Sequence, residues 1–206
     1  RQAAAYAIDR EAIAKKLYYD EAVPAALGGI STLLHGFDPS IKPYPYDPDK
    51  AKKLLAEAGY PNGFEAEMIT FESSAVPGTP DQSQAVAGFL DKIGVKTKVT
   101  LMETGTFTAK YRDKSLNCDI APIGMPTSAG LVGYDLSYTL NIFYTSIAPY
   151  SHFQEPELDK IWEESMKIVD PAEREVVLKK ACKLIYDQVL GLATVEVNGL
   201  FATGPR

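Results

Sequence analysis

The stretch that most constrains the fold runs from Tyr44 to Phe64 and reads YPYDPDKAKKLLAEAGYPNGF. Asp47 followed by Pro48 predicts a helix start, because the carboxylate can accept hydrogen bonds from free amides and proline needs no donor in the first turn. Gly59 and Pro61 predict where that helix ends. A strand is expected to begin at Phe64. The predicted helix carries one apolar stripe, formed by Ala51, Leu54, Leu55 and Ala58.

Further strands alternate with helices along the next sixty residues. The hydrophobic pattern predicts strands at 64–71, 95–101 and 118–124. A helix with the spacing of a capping box is predicted from Thr79, and a short helix is predicted over 106–112. Strands separated by helices favour a mainly parallel sheet with right-handed crossovers. The predicted fold class is therefore α/β.

The flanking segments are predicted to be mostly helical. We interpret residues 1–206 as one α/β lobe. The predicted elements outside the strand–helix repeat are two helices meeting at Asp9, a loop over 20–46, helices over 134–143, 157–169 and 171–190, and a last strand over 192–201.

Composition excludes several classes of protein. A formal net charge of -6 without a clustered basic face argues against a nucleic-acid partner. No apolar run is long enough to span a bilayer. Cys118 and Cys182 do not form a zinc or disulfide pattern, and we expect both thiols to be unpaired. His35 and His152 lie far apart in predicted loops, so we expect neither a metal site nor a cofactor.

The ends of the three predicted strands form the candidate binding site. In an open parallel sheet, ligands bind beyond the carboxyl ends of the strands. These ends are small and polar, which suits a solute held by hydrogen bonds, although solvated loops of no special function have the same composition. The candidate residues are Phe71, Glu72, Ser73, Glu103, Gly124, Met125, Thr127 and Ser128.

Two other features of the sequence bear on function. Glu72 and Glu103 could act as an acid/base pair across the sheet end, but no nucleophile elbow, phosphate-binding glycine loop or paired histidine motif accompanies them. Tyrosines cluster after the third predicted strand and offer either a binding face or hydrogen-bonded core positions. They are Tyr134, Tyr138, Tyr144 and Tyr150.

Four segments together resemble a known family. They are RQAAAYAIDREAI, YPYDPDKAKKLLAEAGYPNGF, DKIGVKTKV and PELDKIWEESMKIVDPAEREVVLKKACKLIYD. In order and spacing these are similar to the oligopeptide-, dipeptide- and nickel-type solute-binding proteins of ABC importers. The resemblance covers nearly the whole chain and implies a periplasmic-binding-protein-like lobe with a mainly parallel mixed sheet flanked by helices.

The resemblance also implies partners and a location. Such proteins are two-lobed, close on a small or peptide-like solute and deliver it to an ABC permease in the membrane. They work in the periplasm or elsewhere outside the cytoplasm, in some cases with a lipid anchor. This chain resembles only the second lobe, so we expect it to be a fragment that supplies half of a cleft and binds weakly by itself.

An alternative is a ligand-sensing or catalytic domain that reuses the fold. A signal peptide and a neighbouring permease gene would favour transport, and a fused kinase or hydrolase domain would favour the alternative.

The chain departs from the family pattern after the third predicted strand. Peptide-binding members typically carry Gly-Trp followed by Asp-Tyr there, with the aspartate pairing with a peptide amino terminus. Here the run is Gly124 to Ser128 with Met125-Pro126, and Asp135 lies farther on. An unpaired ammonium group would cost a few kcal/mol to desolvate. We therefore predict a solute without a free amino terminus at this position, such as a sugar, an opine-like compound or a modified peptide, contacted also by Asp135 and Tyr150.

Overall fold

The computed structural model describes residues 1–73, 77–123 and 135–197. The helices are α1 (Gln2–Ala7), α2 (Arg10–Leu17), α3 (Pro48–Glu57), α4 (Thr79–Asp91), α5 (Thr104–Arg112), α6 (Leu136–Thr139), α7 (Pro156–Lys167) and α8 (Pro171–Gln188), with a π-helical turn at Leu140–Tyr144 that continues α6. The strands are β1 (Ala22–Pro24), β2 (Phe64–Phe71), β3 (Val95–Met102) and β4 (Val195–Val197). The order of elements confirms a mixed α/β fold.

The segment from Tyr44 to Phe64 folds as its sequence predicts. Asp47 accepts a hydrogen bond from the Lys50 amide at 2.9 Å, and Gly59 ends α3 with a φ of 94°. Tyr60 returns toward the helix through its amide, which donates to the Leu55 carbonyl, but its ring packs against Phe64 at 4.9 Å between centroids. Ala58, predicted to lie on the buried stripe, is exposed.

Gly63 fixes the position of β2 against its neighbour. Its φ is 73°, and a Cβ atom there would lie 1.9 Å from the Gly94 carbonyl oxygen. The Phe64 amide donates to that same carbonyl at 3.2 Å. From this point β2 and β3 pair in parallel over eight residues, from Phe64 opposite Val95 to Phe71 opposite Met102. Close approach of the two backbones thus sets the register of the sheet.

The predicted third strand over 118–124 is wrong for the residues described. Residues 118–123 form a single bridge, between Ile120 and Met68. Pro122 has no N–H to donate to a neighbouring strand. In addition, the Glu67 amide donates to the Asp119 carboxylate at 2.7 Å rather than to a backbone carbonyl. Parallel pairing therefore stops after one residue.

The remaining predictions are close to the structure. The long loop contains a three-residue strand, β1, which pairs antiparallel with β4. The last strand covers only Val195–Val197 of the predicted 192–201, of which 198–201 lie outside the described residues. Helix α4 begins at Thr79 itself, with Gly78 rather than Thr79 at the N-cap, and α8 ends at Gln188, before a left-handed Val189.

The hydrophobic core has two main clusters. The first, which we call the sheet half, joins α1, α3 and α4 to one face of β2 and β3 and includes Ile8, Leu55, Met68 and Leu90. The second, the helical half, joins α6, the π-helical turn, α7 and α8 to residues 26–37 and includes Leu136, Leu158, Leu178 and Ile185. Within the described part of the chain, no helix is both long and apolar enough to cross a membrane.

One buried cation connects distant parts of the chain. Arg10 is only 3% exposed, and its guanidinium donates to four carbonyl groups, those of Ala5, Ile8, Tyr44 and Ala193, at 2.9 to 3.2 Å. Burial lowers the pKa of Arg10 to about 10. The charge is thus satisfied by backbone dipoles rather than by a carboxylate.

Candidate functional site

The carboxyl ends of β2 and β3 meet at one edge of the sheet, as predicted. The Thr104 hydroxyl donates to the Glu72 carbonyl at 2.7 Å and ties the two ends together. Phe71 is half-buried and Glu72 is exposed. Ser73 is the last described residue on this side before the gap at 74–76. The candidate residues of the first two strand ends are therefore neighbours.

Glu103 has a defined structural role at this edge. Its carboxylate caps α5 by accepting hydrogen bonds from the amides of Gly105 and Thr106, both at 2.7 Å, and from the Thr106 hydroxyl at 2.9 Å. These bonds hold the pKa of the Glu103 carboxyl below its usual range. A carboxyl whose ionised form is stabilised in this way is poorly suited to be a general acid, which argues against an acid/base pair with Glu72.

Asp135 also has partners within the chain. It caps α6 through the Ser137 amide at 3.0 Å and also accepts a bond from the Ser137 hydroxyl, while Arg174 Nη1 lies 2.6 Å from its second oxygen. Burial acts to raise the pKa of Asp135, but the bonds from Ser137 and Arg174 outweigh it and leave the pKa lowered. Its carboxylate is therefore already neutralised, and contact with a solute stays a prediction.

A row of five aromatic rings leads away from the strand ends. Successive rings are Phe71, Phe107, Tyr111, Tyr150 and Phe143, with centroid separations of 4.2, 5.6, 6.2 and 5.3 Å. Helix α5 supplies the second and third rings from positions one turn apart. We call this set the aromatic row. It joins the edge of the sheet to the helical half.

A cavity of about 360 Å³ lies between the two halves, and the aromatic row forms part of its wall. The sheet half contributes Met68, Val86 and Ile120, and the loops beside β1 and β4 contribute Gly28 and Gly191. Tyr111, Tyr150, Phe143 and His152 also line it. This volume falls within the range of pockets that hold small molecules.

Most polar side chains of the cavity wall are paired with protein groups. The Tyr144 hydroxyl donates to the Gly28 carbonyl, and Thr194 donates to the Gln82 side chain at 3.1 Å. Ser83 donates to the Thr79 carbonyl at 2.8 Å. His152 Nε2 lies 3.0 Å from the Tyr111 carbonyl oxygen. The cavity wall is thus of mixed polarity, and many of its polar side chains are already bonded to protein groups.

Apart from Asp135, which is bonded to Ser137 and Arg174, the candidate residues divide into three groups. Tyr150 lines the cavity, and Phe71 is the first ring of the aromatic row, next to Glu72, Ser73 and Glu103 at the strand ends. Gly124, Met125, Thr127 and Ser128 lie outside the described residues. Their ligand roles all stay predictions.

Sequence reasoning missed some of the cavity wall. Phe143 and His152 were not selected, because nothing in the sequence marks their proximity. Tyr111 carried a signal, the one-turn spacing from Phe107 that places both rings on one helix face.

No metal centre is evident in the described ranges, where no group of three or more histidine, cysteine or acidic side chains could hold an ion. Cys118 is half-buried and Cys182 is buried, and both thiols are free, as expected. Burial raises the pKa of Cys182 to about 11, which makes this thiol unreactive at neutral pH.

The fold is that of a periplasmic-binding-protein-like lobe, with a ligand-sized cavity beside its sheet. The model of the bacterial extracellular solute-binding proteins, family 5 (middle region), matches residues 1–142. The chain therefore belongs to the family 5 solute-binding proteins.

Three similar proteins illustrate the family. Heme-binding protein A of Haemophilus influenzae is 28% identical over all of this chain and 38% of its own length. Glutathione-binding protein GsiB of Pectobacterium atrosepticum is 32% identical over 88% of this chain and 35% of its own length. The structure of AgaA from A. tumefaciens R10 in complex with agropinic acid matches with a TM-score of 0.79 and 25% identity, over 95% of this chain and 40% of that one. The chain thus spans well under half the length of each relative.

Proposed function

We propose that this chain is one lobe of a two-lobed, extracytoplasmic protein that captures a small solute and delivers it to an ABC permease. Family membership supports the general role, and the share of the relatives' length that the chain covers supports the assignment to a single lobe. The second lobe would close over the solute, since proteins of this kind commonly bind by domain closure around a ligand. In this role the protein binds the solute reversibly and does not change it chemically.

The observation that carries the proposal is the cavity and its connection to the strand ends. In open α/β sheets, ligands bind beyond the carboxyl ends of the strands. Here the aromatic row runs without interruption from Phe71, at such an end, to Tyr150 and Phe143 at the cavity. The strand ends and the cavity are thus joined by a continuous stack of rings, in which Phe107 is buried and Tyr111, Tyr150 and Phe143 line the cavity.

The solute is proposed to lack a free amino terminus at this lobe. The sequence departure that suggests this, at 124–128, lies outside the described residues. Support comes from Asp135, whose carboxylate is engaged by Arg174 and Ser137 and so has little capacity left for an ammonium group. Two of the relatives are named as heme-binding and glutathione-binding proteins, and the structure of the third is a complex with agropinic acid, so family membership by itself does not select a solute.

Native mass spectrometry of the full-length protein tests the proposal, because a tightly bound solute should co-purify. A cavity-filling variant makes the test specific. Ala121 is half-buried in the cavity wall, so Ala121→Trp should reduce the affinity for the co-purified solute at least tenfold.

Ala109→Trp is the matched control, because Ala109 is exposed on α5 and does not line the cavity. It should leave the affinity unchanged. If the two substitutions change the affinity equally, the solute does not bind in this cavity. Ligand-induced thermal stabilisation gives an independent measure of both affinities.

A further inference from the structure

The rings of the aromatic row stack on one another rather than enclosing an empty space. The interplanar angles between successive rings are 22°, 26°, 34° and 18°. In addition, the Arg112 guanidinium lies 5.6 Å from the centre of the Tyr150 ring. The faces of the inner rings are thus occupied by other protein groups, and a ligand in the cavity meets mainly ring edges and hydroxyl groups.

This arrangement disfavours a cationic ligand. Aromatic rings attract cations through their faces, which carry negative potential, whereas ring edges are positive. The described residues that line the cavity include no carboxylate and no lysine, and their basic members are Arg1 and His152. A positively charged group in this cavity would therefore find no counter-ion among the described side chains that line it, and ring faces of Tyr111 and Tyr150 are already covered by protein groups.

Two hydroxyl groups remain to bond a ligand. Among the described residues, the side-chain hydroxyls of Tyr111 and Tyr150 have no hydrogen-bond partner, whereas that of Tyr144 donates to Gly28. Burial raises the pKa of the Tyr111 hydroxyl, which keeps it protonated as a donor. Tyrosine hydroxyls can donate to and accept from oxygen atoms of a ligand.

We propose that Tyr111 and Tyr150 form a subsite for an uncharged, oxygen-rich ring of the solute, such as a sugar ring. The hydroxyls bond ring or hydroxyl oxygens, and the apolar wall around Met68 and Ile120 packs against the ring carbons. This subsite rests on the proposed function and specifies the solute class that the site accepts. Its two residues both belong to the described part of the chain.

The test is calorimetric titration of the full-length protein with sucrose, unmodified Ala-Ala and N-acetyl-Ala-Ala, together with any solute that co-purifies. The variants are Tyr111→Phe, Tyr150→Phe and the double variant, which keep the rings and remove the hydroxyls. Tyr19→Phe is the control, since Tyr19 is 84% exposed and does not line the cavity. Near-ultraviolet circular dichroism checks that the aromatic row is retained.

We expect sucrose or an oxygen-rich co-purified solute to bind more tightly than Ala-Ala. Each single substitution should weaken that binding about threefold to tenfold, and the control should bind as the unmodified protein does. Binding within twofold of the unmodified protein in the double variant would overturn the subsite while leaving the proposed function intact. Tightest binding of Ala-Ala would also overturn it, whereas no binding and no co-purified solute would contradict both proposals.

Discussion

The sheet half and the helical half are stabilised by different kinds of interaction. In the sheet half, β2 and β3 pair over eight residues, and α3 and α4 lie next to them in sequence, while α1 joins from the start of the chain. In the helical half, α6, α7 and α8 pack on residues 26–37, which lie about 100 or more positions earlier in the sequence. The first is built mainly from neighbours along the chain, and the second brings together segments that are distant in sequence. The cavity lies where these two kinds of packing meet, because neither core fills the space between them.

Core truncations should show this difference with the largest effect. Leu178 is fully buried in the helical half, whereas Met68 in the sheet half has the cavity on one side. We expect Leu178→Ala to cost about 4 kcal/mol and Met68→Ala about 2 kcal/mol, because a side chain beside a void loses fewer packing contacts. Urea denaturation of the chain measures both. Equal costs would mean that the cavity border is packed as tightly as the core.

An acid-sensitive contact distinguishes the helical half. Asp135→Asn weakens the bond to Arg174 and should cost about 1 to 2 kcal/mol at neutral pH. The folded pKa of Asp135 is lowered, so the unfolded chain takes up a proton first as the pH falls. The stabilisation is therefore present above about pH 4 and is lost as the pH falls through the folded pKa.

The measurement is the free energy of unfolding of both proteins between pH 3 and pH 7. The difference between them should shrink at the acid end. A difference independent of pH would show that the carboxylate charge does not contribute.

The smallest expected effect is the loss of stability on removing a helix N-cap, and this loss should be the same in the two halves. Asp47 begins α3 in the sheet half, and Asp170 begins α8 in the helical half, each by accepting from an amide three residues on and each followed by proline. Replacement of either aspartate by alanine should cost about 1 kcal/mol. Thermal unfolding of Asp47→Ala and Asp170→Ala compares them directly, and Asp49→Ala is a control within the same first turn.

Much of this fold follows from local patterns in the sequence. Asp-Pro helix starts, the glycines at 59 and 63 and the alternation in β2 predict elements within one or two residues of those observed. The third strand is predicted too long: Pro122 marks a weak point that is visible in the sequence, but the other cause, the bond from the Glu67 amide to the Asp119 carboxylate, is a tertiary contact that the sequence does not show. The cavity likewise leaves no local signal in the sequence, since its wall combines residues from nearly the whole chain.

The sequence predicts the part of the candidate site that lies at the strand ends. It does not predict which side chains from other elements line the cavity. Glu72 and Glu103 were placed at the correct edge of the sheet, but the helix cap made by Glu103 changes its chemistry. Phe143 and His152 reach the cavity only through folding of the helical half.

The hydrogen bonds of Arg10 have a consequence for the order of folding. Three of its carbonyl partners lie within 34 positions of it, but the fourth, that of Ala193, lies 183 positions away. During synthesis the N-terminal segments emerge first, and contacts across such a separation form late. Until residue 193 is in place, the guanidinium lacks its fourth carbonyl partner. Arg10 thus couples the packing of the segments around residues 5–44 to the arrival of a segment near the other end of the chain.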